Sequence, residues 1–118
     1  MSQKIGLAAE LKAKAHLITQ GLVWIESNYR CRWGEIDLIM RDKNYLVFIE
    51  VRARQSSLFG GASASVTYHK QQKLIKTASF YSVAKKIVDK YPMRFDVLSM
   101  DGSGLQIEWL KNAFELQG

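Results

Sequence analysis

Two apolar runs in this sequence are interrupted by acids. Residues 34–39 read GEIDLI and residues 47–52 read VFIEVR, with polar residues between them. Short apolar runs bounded by polar residues are typical of β-strands. A two-residue turn at positions 43–44 would join the runs as a hairpin, and counting back from that turn places Asp37 directly opposite Glu50.

The same register places Glu35 opposite Arg52. Because strand side chains alternate with a period of two, Glu35, Asp37, Glu50 and Arg52 are expected on one face of the sheet, with facing Cβ atoms about 5 Å apart. Directly opposed carboxylates repel each other, and a hard divalent cation such as Mg²⁺, which prefers carboxylate oxygens, would remove that penalty. The pattern therefore indicates a metal site.

Lys70 is the basic residue expected to approach this site. A helix turns by about 100° per residue, so Lys70 falls on the same stripe as Tyr81 and Val88, which faces the sheet. Glu10, at the edge of the apolar stripe of a first helix, could also reach a site beside the sheet. Alternatively, Glu10 pairs with Lys14 at the i+4 position.

The net charge of +6 is unevenly distributed, since residues 65–90 hold six lysines and a single acid. A basic face of this kind suits a polyanion, because neutralising phosphates releases condensed counterions. A solvated, lysine-rich helix is an equally good interpretation of the charge alone. The candidate phosphate contacts on this stretch are Lys73, Lys76, Lys86 and Lys90.

The elements that must position these residues follow from periodicity. We expect a helix over residues 2–19, with Gly21 after its C-cap and one apolar stripe of Leu7, Leu11, Ala15 and Ile18. A second helix is expected over residues 66–89, ending before Pro92, with its apolar face at Leu74, Ala78, Tyr81, Ala84 and Val88. Strands are expected at residues 22–29, 35–41, 45–54, 94–100 and 105–109, with a glycine-rich loop at 55–65 and a short helix as one reading of 111–118.

Length and composition favour a single domain over residues 1–118, with 47% hydrophobic residues. Cys31 is the only cysteine, which excludes an internal disulfide, a thiolate zinc site and a redox pair, and favours a reducing compartment. Neither a signal-type apolar segment nor a run of about 18 apolar residues is present. The expected location is cytoplasmic, away from the membrane.

The order of these motifs resembles a known family. A helix with Glu10, then GEIDLI, LVFIEVRAR, a lysine-bearing helix, RFDV and IEWLKNAF is similar over nearly the whole chain to the YraN-like bacterial family. That family resembles the PD-(D/E)xK nucleases and archaeal-type Holliday junction resolvases. The resemblance implies a restriction-endonuclease-like α/β core, in which a mixed five-stranded sheet is flanked by two main helices. It also implies a metal site formed by Asp37 and Glu50, completed by Glu10 and the backbone carbonyl of Val51.

One departure from the nuclease pattern affects the chemistry. Arg52 stands where nucleases of this class carry a lysine, and arginine stays protonated, so it is excluded as a general base. Lys70 is the candidate replacement, because some nucleases of the class take this lysine from the neighbouring helix. The position before Asp37 is Ile36 instead of the proline of the class name, a minor departure.

Several of these residues also have purely structural interpretations. The two acids could be strand-end partners of Arg52, Arg54 or Arg94, and Glu35 is expected to pair with Arg52. We expect an ion pair between Arg94 and Asp96. The aromatic residues Trp24, Tyr29 and Trp33 are interpreted as core or rim residues in preference to base-stacking platforms.

The function predicted from these observations is a Mg²⁺- or Mn²⁺-dependent phosphodiesterase, endonuclease or resolvase-like, with DNA favoured over RNA as substrate. Asp37, Glu50, Arg52 and Lys70 are its predicted catalytic residues. Two alternatives are a non-catalytic nucleic-acid-binding module that retains the nuclease fold, and an adaptor whose basic surface meets an acidic partner. Cutting both strands of a junction would require a symmetric homodimer.

Overall fold

The computed structural model describes residues 6–53, 66–101 and 106–115. Its helices are α1 (Leu7–Thr19) and α2 (Tyr68–Ala84), and its strands are β1 (Val23–Cys31), β2 (Gly34–Asp42), β3 (Tyr45–Ala53), β4 (Met93–Met100) and β5 (Ile107–Phe114). The strands form one sheet in chain order, with β3 and β4 parallel and all other neighbours antiparallel. The predicted α/β class, with a mixed five-stranded sheet and two helices, is confirmed.

The one parallel pair explains the place of α2 in the chain. Antiparallel strands are joined by hairpins, as β1, β2 and β3 are, whereas parallel strands need a long crossover connection. The segment between β3 and β4 contains α2, which packs on one face of the sheet. This arrangement brings the N-terminal half of α2, with Lys70, toward the end of β3.

Two apolar clusters cover the two faces of the sheet. The cluster on the α2 side contains Ile36, Ile39, Leu46, Phe48, Val66, Leu74, Ala78, Tyr81, Phe95 and Val97. The cluster on the α1 side contains Ala13, Leu17, Leu22, Leu38, Met40, Val47, Ile49, Val51, Leu98 and Met100. Residues 46–51 of β3 are all buried, as expected for a strand covered on both faces.

The prediction for the buried face of α1 was wrong. Leu7, Leu11 and Ile18 are 68%, 53% and 47% exposed, whereas Ala13 and Leu17 are fully buried. The helix carries apolar residues on two stripes, and spacing alone does not tell which stripe meets the sheet. The structure buries the stripe of Ala13 and Leu17, which joins the apolar cluster on the α1 side of the sheet.

The end of α1 agrees with the sequence. Gly21 adopts φ +101°, and its N–H donates to the carbonyl of Ile18 at 3.0 Å. The next amide, from Leu22, donates to the carbonyl of Leu17 at 3.1 Å. This pair of bonds is a Schellman motif, which glycine favours because it has no Cβ to clash.

The end of α2 does not agree with the sequence. The helix stops at Ala84, five residues before the predicted end, so Val88 is 54% exposed instead of packed. Lys86 adopts φ +59° and forms part of a second Schellman motif. Its N–H donates to the carbonyl of Val83 at 3.1 Å, and the N–H of Ile87 donates to the carbonyl of Ser82 at 2.9 Å. A lysine at this position gives no sequence signal for a helix end.

Replacing Lys86 by glycine is expected to stabilise the protein. A non-glycine residue in the left-handed region costs about 1–2 kcal/mol, and the larger unfolded-state entropy of glycine offsets part of that gain. We expect the free energy of unfolding to rise by about 0.5–1 kcal/mol, measured by urea denaturation. The matched control is Lys85→Gly, where φ is −90° and the same change should be destabilising. An equal effect of both changes would contradict a special backbone conformation at Lys86.

The C-terminal segment is a strand where a short helix was one prediction. β5 continues through Lys111 to Phe114, and Asn112 within it adopts φ +53°. The predicted loop at 55–65, residues 2–5 of the first helix, Arg54, the turn at 102–104, Leu105 and residues 116–118 lie outside the described residues. In the part of the chain that is described, neither helix is long and apolar enough to cross a membrane.

Candidate active site

The β2–β3 hairpin has the predicted register. Asp42 pairs with Tyr45, and the ladder continues to Leu38 paired with Ile49. Beyond that pair, a side chain replaces the backbone as hydrogen-bond acceptor: Asp37 Oδ2 accepts a hydrogen bond from the N–H of Val51 at 2.8 Å. Asp37 is therefore fixed beside β3 at the level of Glu50 and Val51.

The alternation of side chains along β2 is interrupted at Asp37. Ile36 packs in the cluster on the α2 side and Leu38 in the cluster on the α1 side, although residues two apart in a regular strand share a face. Opposite this point on β1, Asn28 adopts φ +56° between residues that pair with Leu38 and Ile36. The predicted common face for the acids of β2 and β3 therefore does not follow from simple alternation.

Glu50 is the centre of a charged cluster. It is only 8% exposed, and its Oε2 lies 3.3 Å from Lys70 Nζ and 3.3 Å from a terminal guanidinium nitrogen of Arg52. Lys70 reaches it from α2, as its position on the sheet-facing stripe predicted. The structure thus brings together all four predicted catalytic residues, Asp37, Glu50, Arg52 and Lys70.

Burial raises the pKa of Asp37 to about 8, with the neighbouring charge of Glu50 as the next cause. The N–H of Val51 acts in the opposite direction by stabilising the carboxylate, while the charge of Glu10 and a hydrogen bond with Glu50 raise the pKa further. Asp37 therefore holds a proton near neutral pH. A cation bound between the groups would take the place of that proton.

This raised pKa predicts how stability depends on pH. An unfolded aspartate titrates near 3.8 and the folded one near 8, so between these values the folded state holds more protons than the unfolded state. The stabilisation from this group is complete below pH 4 and is lost as pH rises toward 8. We expect the difference in unfolding free energy between wild type and Asp37→Asn to shift in favour of the variant over this range, measured by urea denaturation at several pH values.

The control for this dependence is Glu35→Gln, two residues away on β2. Glu35, expected to pair with Arg52, forms an ion pair with Arg30 of β1 at 3.0 Å, with a half-exposed side chain. This change leaves Asp37 in place, so the fall in stability between pH 4 and pH 8 should persist. Added Mg²⁺ should reduce the fall in wild-type stability at high pH and leave Asp37→Asn unaffected. Parallel pH profiles for wild type and Asp37→Asn would show that Asp37 titrates normally.

The donor set fits a hard cation in part. Carboxylate oxygens of Asp37 and Glu50 are the ligands that Mg²⁺ and Mn²⁺ prefer. Val51 presents its N–H toward β2, and a strand residue presents its carbonyl to the same neighbour, so the predicted carbonyl ligand lies on the correct side. Within the described ranges, however, no three His, Cys, Asp or Glu side chains are already grouped to hold a metal.

Glu10, the predicted third acid, lies close enough to contribute to the field at Asp37 but is held by another residue. Asn28 Nδ2 donates to Glu10 Oε1 at 3.1 Å. Asn28 was not predicted as a site residue, although asparagine is one of the few residue types that tolerate positive φ. Its side chain links α1 to the irregular point of β1 and positions Glu10 beside the acid pair.

The remaining predicted residues separate into two groups. Lys73 and Lys76 are exposed on α2 near Lys70, whereas Lys86 and Lys90 are exposed beyond the other end of the helix, roughly 20 Å along its axis. The first pair lies beside the acid cluster and the second pair does not. The predicted ion pair between Arg94 and Asp96 is confirmed, at 2.9 Å, on β4 beside Val47 and Ile49 of β3.

Comparison with known proteins identifies the family. Residues 9–100 match the model described as "Uncharacterised protein family UPF0102". A UPF0102 protein of Legionella pneumophila (strain Corby) is 54% identical over 115 residues, covering 98% of both chains. A UPF0102 protein of Serratia proteamaculans is 48% identical, covering 97% of both chains. One of Saccharophagus degradans is 47% identical, covering 94% of this chain and 92% of the relative. This chain therefore belongs to the UPF0102 family, whose members are the YraN-like proteins that its motifs resemble.

Proposed function

We propose that this protein is a metal-dependent phosphodiesterase that acts on nucleic acid, with DNA favoured over RNA. The observation that carries the proposal is the acid pair of half-buried Asp37 and buried Glu50, which lies beside two cations, Lys70 and Arg52. Burying like charges together is unfavourable, and such arrangements are concentrated at functional sites. The resemblance to nucleases of the PD-(D/E)xK class supports the same chemistry.

In this proposal, oxygen ligands from Asp37, Glu50, Glu10 and the carbonyl of Val51 hold Mg²⁺ or Mn²⁺. When bound, the cation would lower the pKa of a coordinated water and neutralise charge on the scissile phosphate. Glu10 would leave its hydrogen bond with Asn28 to join the other acids. The chain's own contribution is to fix the acids through the Val51 N–H and through the strand pairing on either side.

Lys70 and Arg52 contribute the positive charge of the site. Both contact Glu50 Oε2, so both lie where a phosphate oxygen approaching the acid pair would meet them. Arg52 remains protonated and serves to bind phosphate or stabilise developing negative charge. Lys70, whose ammonium group is carried on a flexible side chain, orients the attacking water or stabilises the transition state. We assign Lys70 the role of the lysine that the nuclease motif lacks at Arg52.

The surface around the site is suited to a nucleic acid. Lys73 and Lys76 extend the positive charge of Lys70 along α2, and they are exposed for contact with phosphates. We place this activity in the cytoplasm, because the single cysteine, Cys31, is a free thiol and a reducing compartment suits it. Cutting two strands of a branched substrate would require two copies of the site, which a symmetric homodimer provides.

A second function is favoured by one observation. The two cations at Glu50 already neutralise that acid, so the cluster forms a satisfied ion-pair network without a metal. Together with Arg52 in the motif position, this favours a nucleic-acid-binding module that retained the fold and lost turnover. The two functions share the basic surface and differ in their need for a cation.

Titration calorimetry with Mg²⁺ and Mn²⁺ tests the proposal, with wild type and Glu50→Gln compared. The same proteins are assayed for cleavage of linear, flapped and four-way-junction DNA and of matched RNA. Metal binding lost in Glu50→Gln, with metal-dependent cleavage by wild type, supports the phosphodiesterase. Lys70→Ala should retain metal affinity and lose cleavage. Nucleic-acid binding without metal affinity in wild type would favour the binding module.

A further inference from the structure

The tip of the β1–β2 hairpin carries an exposed tryptophan between two cations. Cys31 pairs with Gly34, so Arg32 and Trp33 form the two-residue turn. The Trp33 ring is 39% exposed, with Arg32 Cζ 5.0 Å and Lys76 Nζ 5.3 Å from the ring centroid. A flat aromatic face with adjacent positive charge is the combination by which proteins bind unpaired bases and their phosphates.

The hairpin tip is held firmly against α2. Gly34 adopts φ +150°, and a Cβ at this position would lie 3.2 Å from the hydroxyl oxygen of Thr77, tighter than most Cβ contacts. Thr77 is fully buried and donates its hydroxyl to the carbonyl of Lys73 at 2.8 Å. The hairpin is therefore packed tightly on the helix, which fixes the position of Trp33 relative to the lysines of α2.

Trp33 lies within reach of the proposed site, as the lengths along α2 and along β2 show. Lys70, Lys73 and Lys76 are spaced by three residues, so Lys76 lies about 9 Å from Lys70 along the helix axis. On β2, Asp37 follows Trp33 by four residues, about 13 Å along an extended chain. These lengths correspond to roughly three or four nucleotide steps of about 3.4 Å. A strand with a phosphate at Lys70 can therefore reach the ring.

We propose that Trp33 stacks on an unpaired base of the strand that enters the site, while Arg32 and Lys76 neutralise phosphates on either side of that base. The inference rests on the proposed function and names its substrate class. In an intact duplex the base faces are covered by their neighbours, so a tryptophan ring gains little from it. The substrate is a nucleic acid with single-stranded nucleotides next to the cleavage point, such as a flap, a gap or a branch.

Trp24 provides a matched control. It is 42% exposed and lies under Lys14 Nζ at 3.8 Å, so it shares with Trp33 both its exposure and a cation contact. Its indole N–H donates to Ser27 Oγ at 2.9 Å. Trp24 lies at the other end of β1, about 30 Å along the strand from the hairpin tip. Any general effect of removing an exposed tryptophan should appear at both positions.

The experiment measures binding of labelled oligonucleotides by fluorescence anisotropy without a divalent cation, so that no cleavage occurs. Wild type, Trp33→Ala, Trp33→Phe and Trp24→Ala are compared on a single strand, a flapped duplex and a blunt duplex. Trp33→Ala should bind the single strand and the flap about 5- to 150-fold more weakly, the range expected for one stacked base. Trp33→Phe should retain most of the affinity, and binding to blunt duplex should change little.

The outcomes separate this inference from the proposed function. Equal affinity of Trp33→Ala and wild type for the flap would overturn the stacking role, and so would an equal loss in Trp24→Ala. If wild type nevertheless cleaves DNA with Mg²⁺, the proposed function stands without the inference. If wild type binds no nucleic acid of any form, both are overturned. Lys76→Ala should weaken binding to all three substrates and reduce the salt dependence of binding.

Discussion

Asp37→Asn is expected to abolish metal-dependent cleavage, with a rate loss of at least about 1,000-fold. Charge stabilisation by a bound cation contributes several kcal/mol to phosphodiester cleavage, and each 1.4 kcal/mol corresponds to a tenfold change in rate. Asparagine keeps an oxygen that can accept the N–H of Val51, so the contact that fixes this position on β3 is retained. The change removes the negative charge that Asp37 would present to a bound cation, and it keeps the acceptor for the Val51 N–H.

The measurement is the initial rate of cleavage of flapped and four-way-junction DNA at saturating Mg²⁺. Glu35→Gln is the matched control, because it removes a carboxylate from the same strand, where Glu35 pairs with Arg30. That variant should cleave at the wild-type rate. Thermal unfolding of both variants shows whether they fold. An Asp37→Asn protein that cleaves like wild type would exclude Asp37 from catalysis and leave the assignment of the acid pair without support.

The contacts that were predictable from sequence are those set by local geometry. A two-residue turn fixes the register of a hairpin, so Asp42 opposite Tyr45 was enough to place Asp37 at the level of Glu50. Helical periodicity likewise placed Lys70 on the face of α2 that meets the sheet, where it contacts Glu50. Both inferences use a repeat that depends on the backbone alone.

The features that were missed depend on unusual backbone conformations. Asn28 and Lys86 have positive φ, and Asn28 lies opposite the interruption of the β2 alternation, whereas Lys86 follows the end of α2. Lysine in particular rarely adopts this conformation, so its sequence context gives no warning. Hydrogen bonds occupy both positions, since Asn28 donates its side-chain amide to Glu10 and Lys86 donates its backbone N–H to the carbonyl of Val83.

A second kind of missed feature depends on which elements meet. The position of Lys76 over Trp33 requires the β1–β2 hairpin to lie against α2, a contact between segments more than 40 residues apart. The choice of the Ala13 and Leu17 face of α1 similarly depends on the shape of the sheet beneath it. Neither arrangement follows from the periodicity of a single segment. The sequence therefore indicated the acid pair more clearly than its aromatic surroundings.

The largest effect on stability is expected at Asp96. Its side chain is fully buried and accepts four hydrogen bonds, each at 2.9 Å: two from Arg94, one from the indole N–H of Trp109 and one from the backbone N–H of Asn112. Burial alone would lower the pKa of Arg94, but the bonds and charge of Asp96, with a smaller contribution from Asp42, raise it. This network joins β4 to β5.

Asp96→Ala is expected to lower the free energy of unfolding by about 3–5 kcal/mol, because it leaves the buried charge of Arg94 and two further donors without their acceptor. Urea denaturation of wild type and variant at neutral pH measures the change. The control is Asp42→Ala, which removes a single bond to Arg94 at 3.0 Å from a more exposed side chain and should cost less. A loss below about 1 kcal/mol for Asp96→Ala would equal that of a surface ion pair and contradict the network's role. The Asp96 side chain lies on the opposite face of the sheet from Glu50, because Asp96 alternates with Phe95 and Val97 of the α2-side cluster whereas Glu50 contacts Lys70 of α2. An Asp96→Asn protein that remains folded should therefore still bind Mg²⁺, which separates the stabilising network from the proposed site.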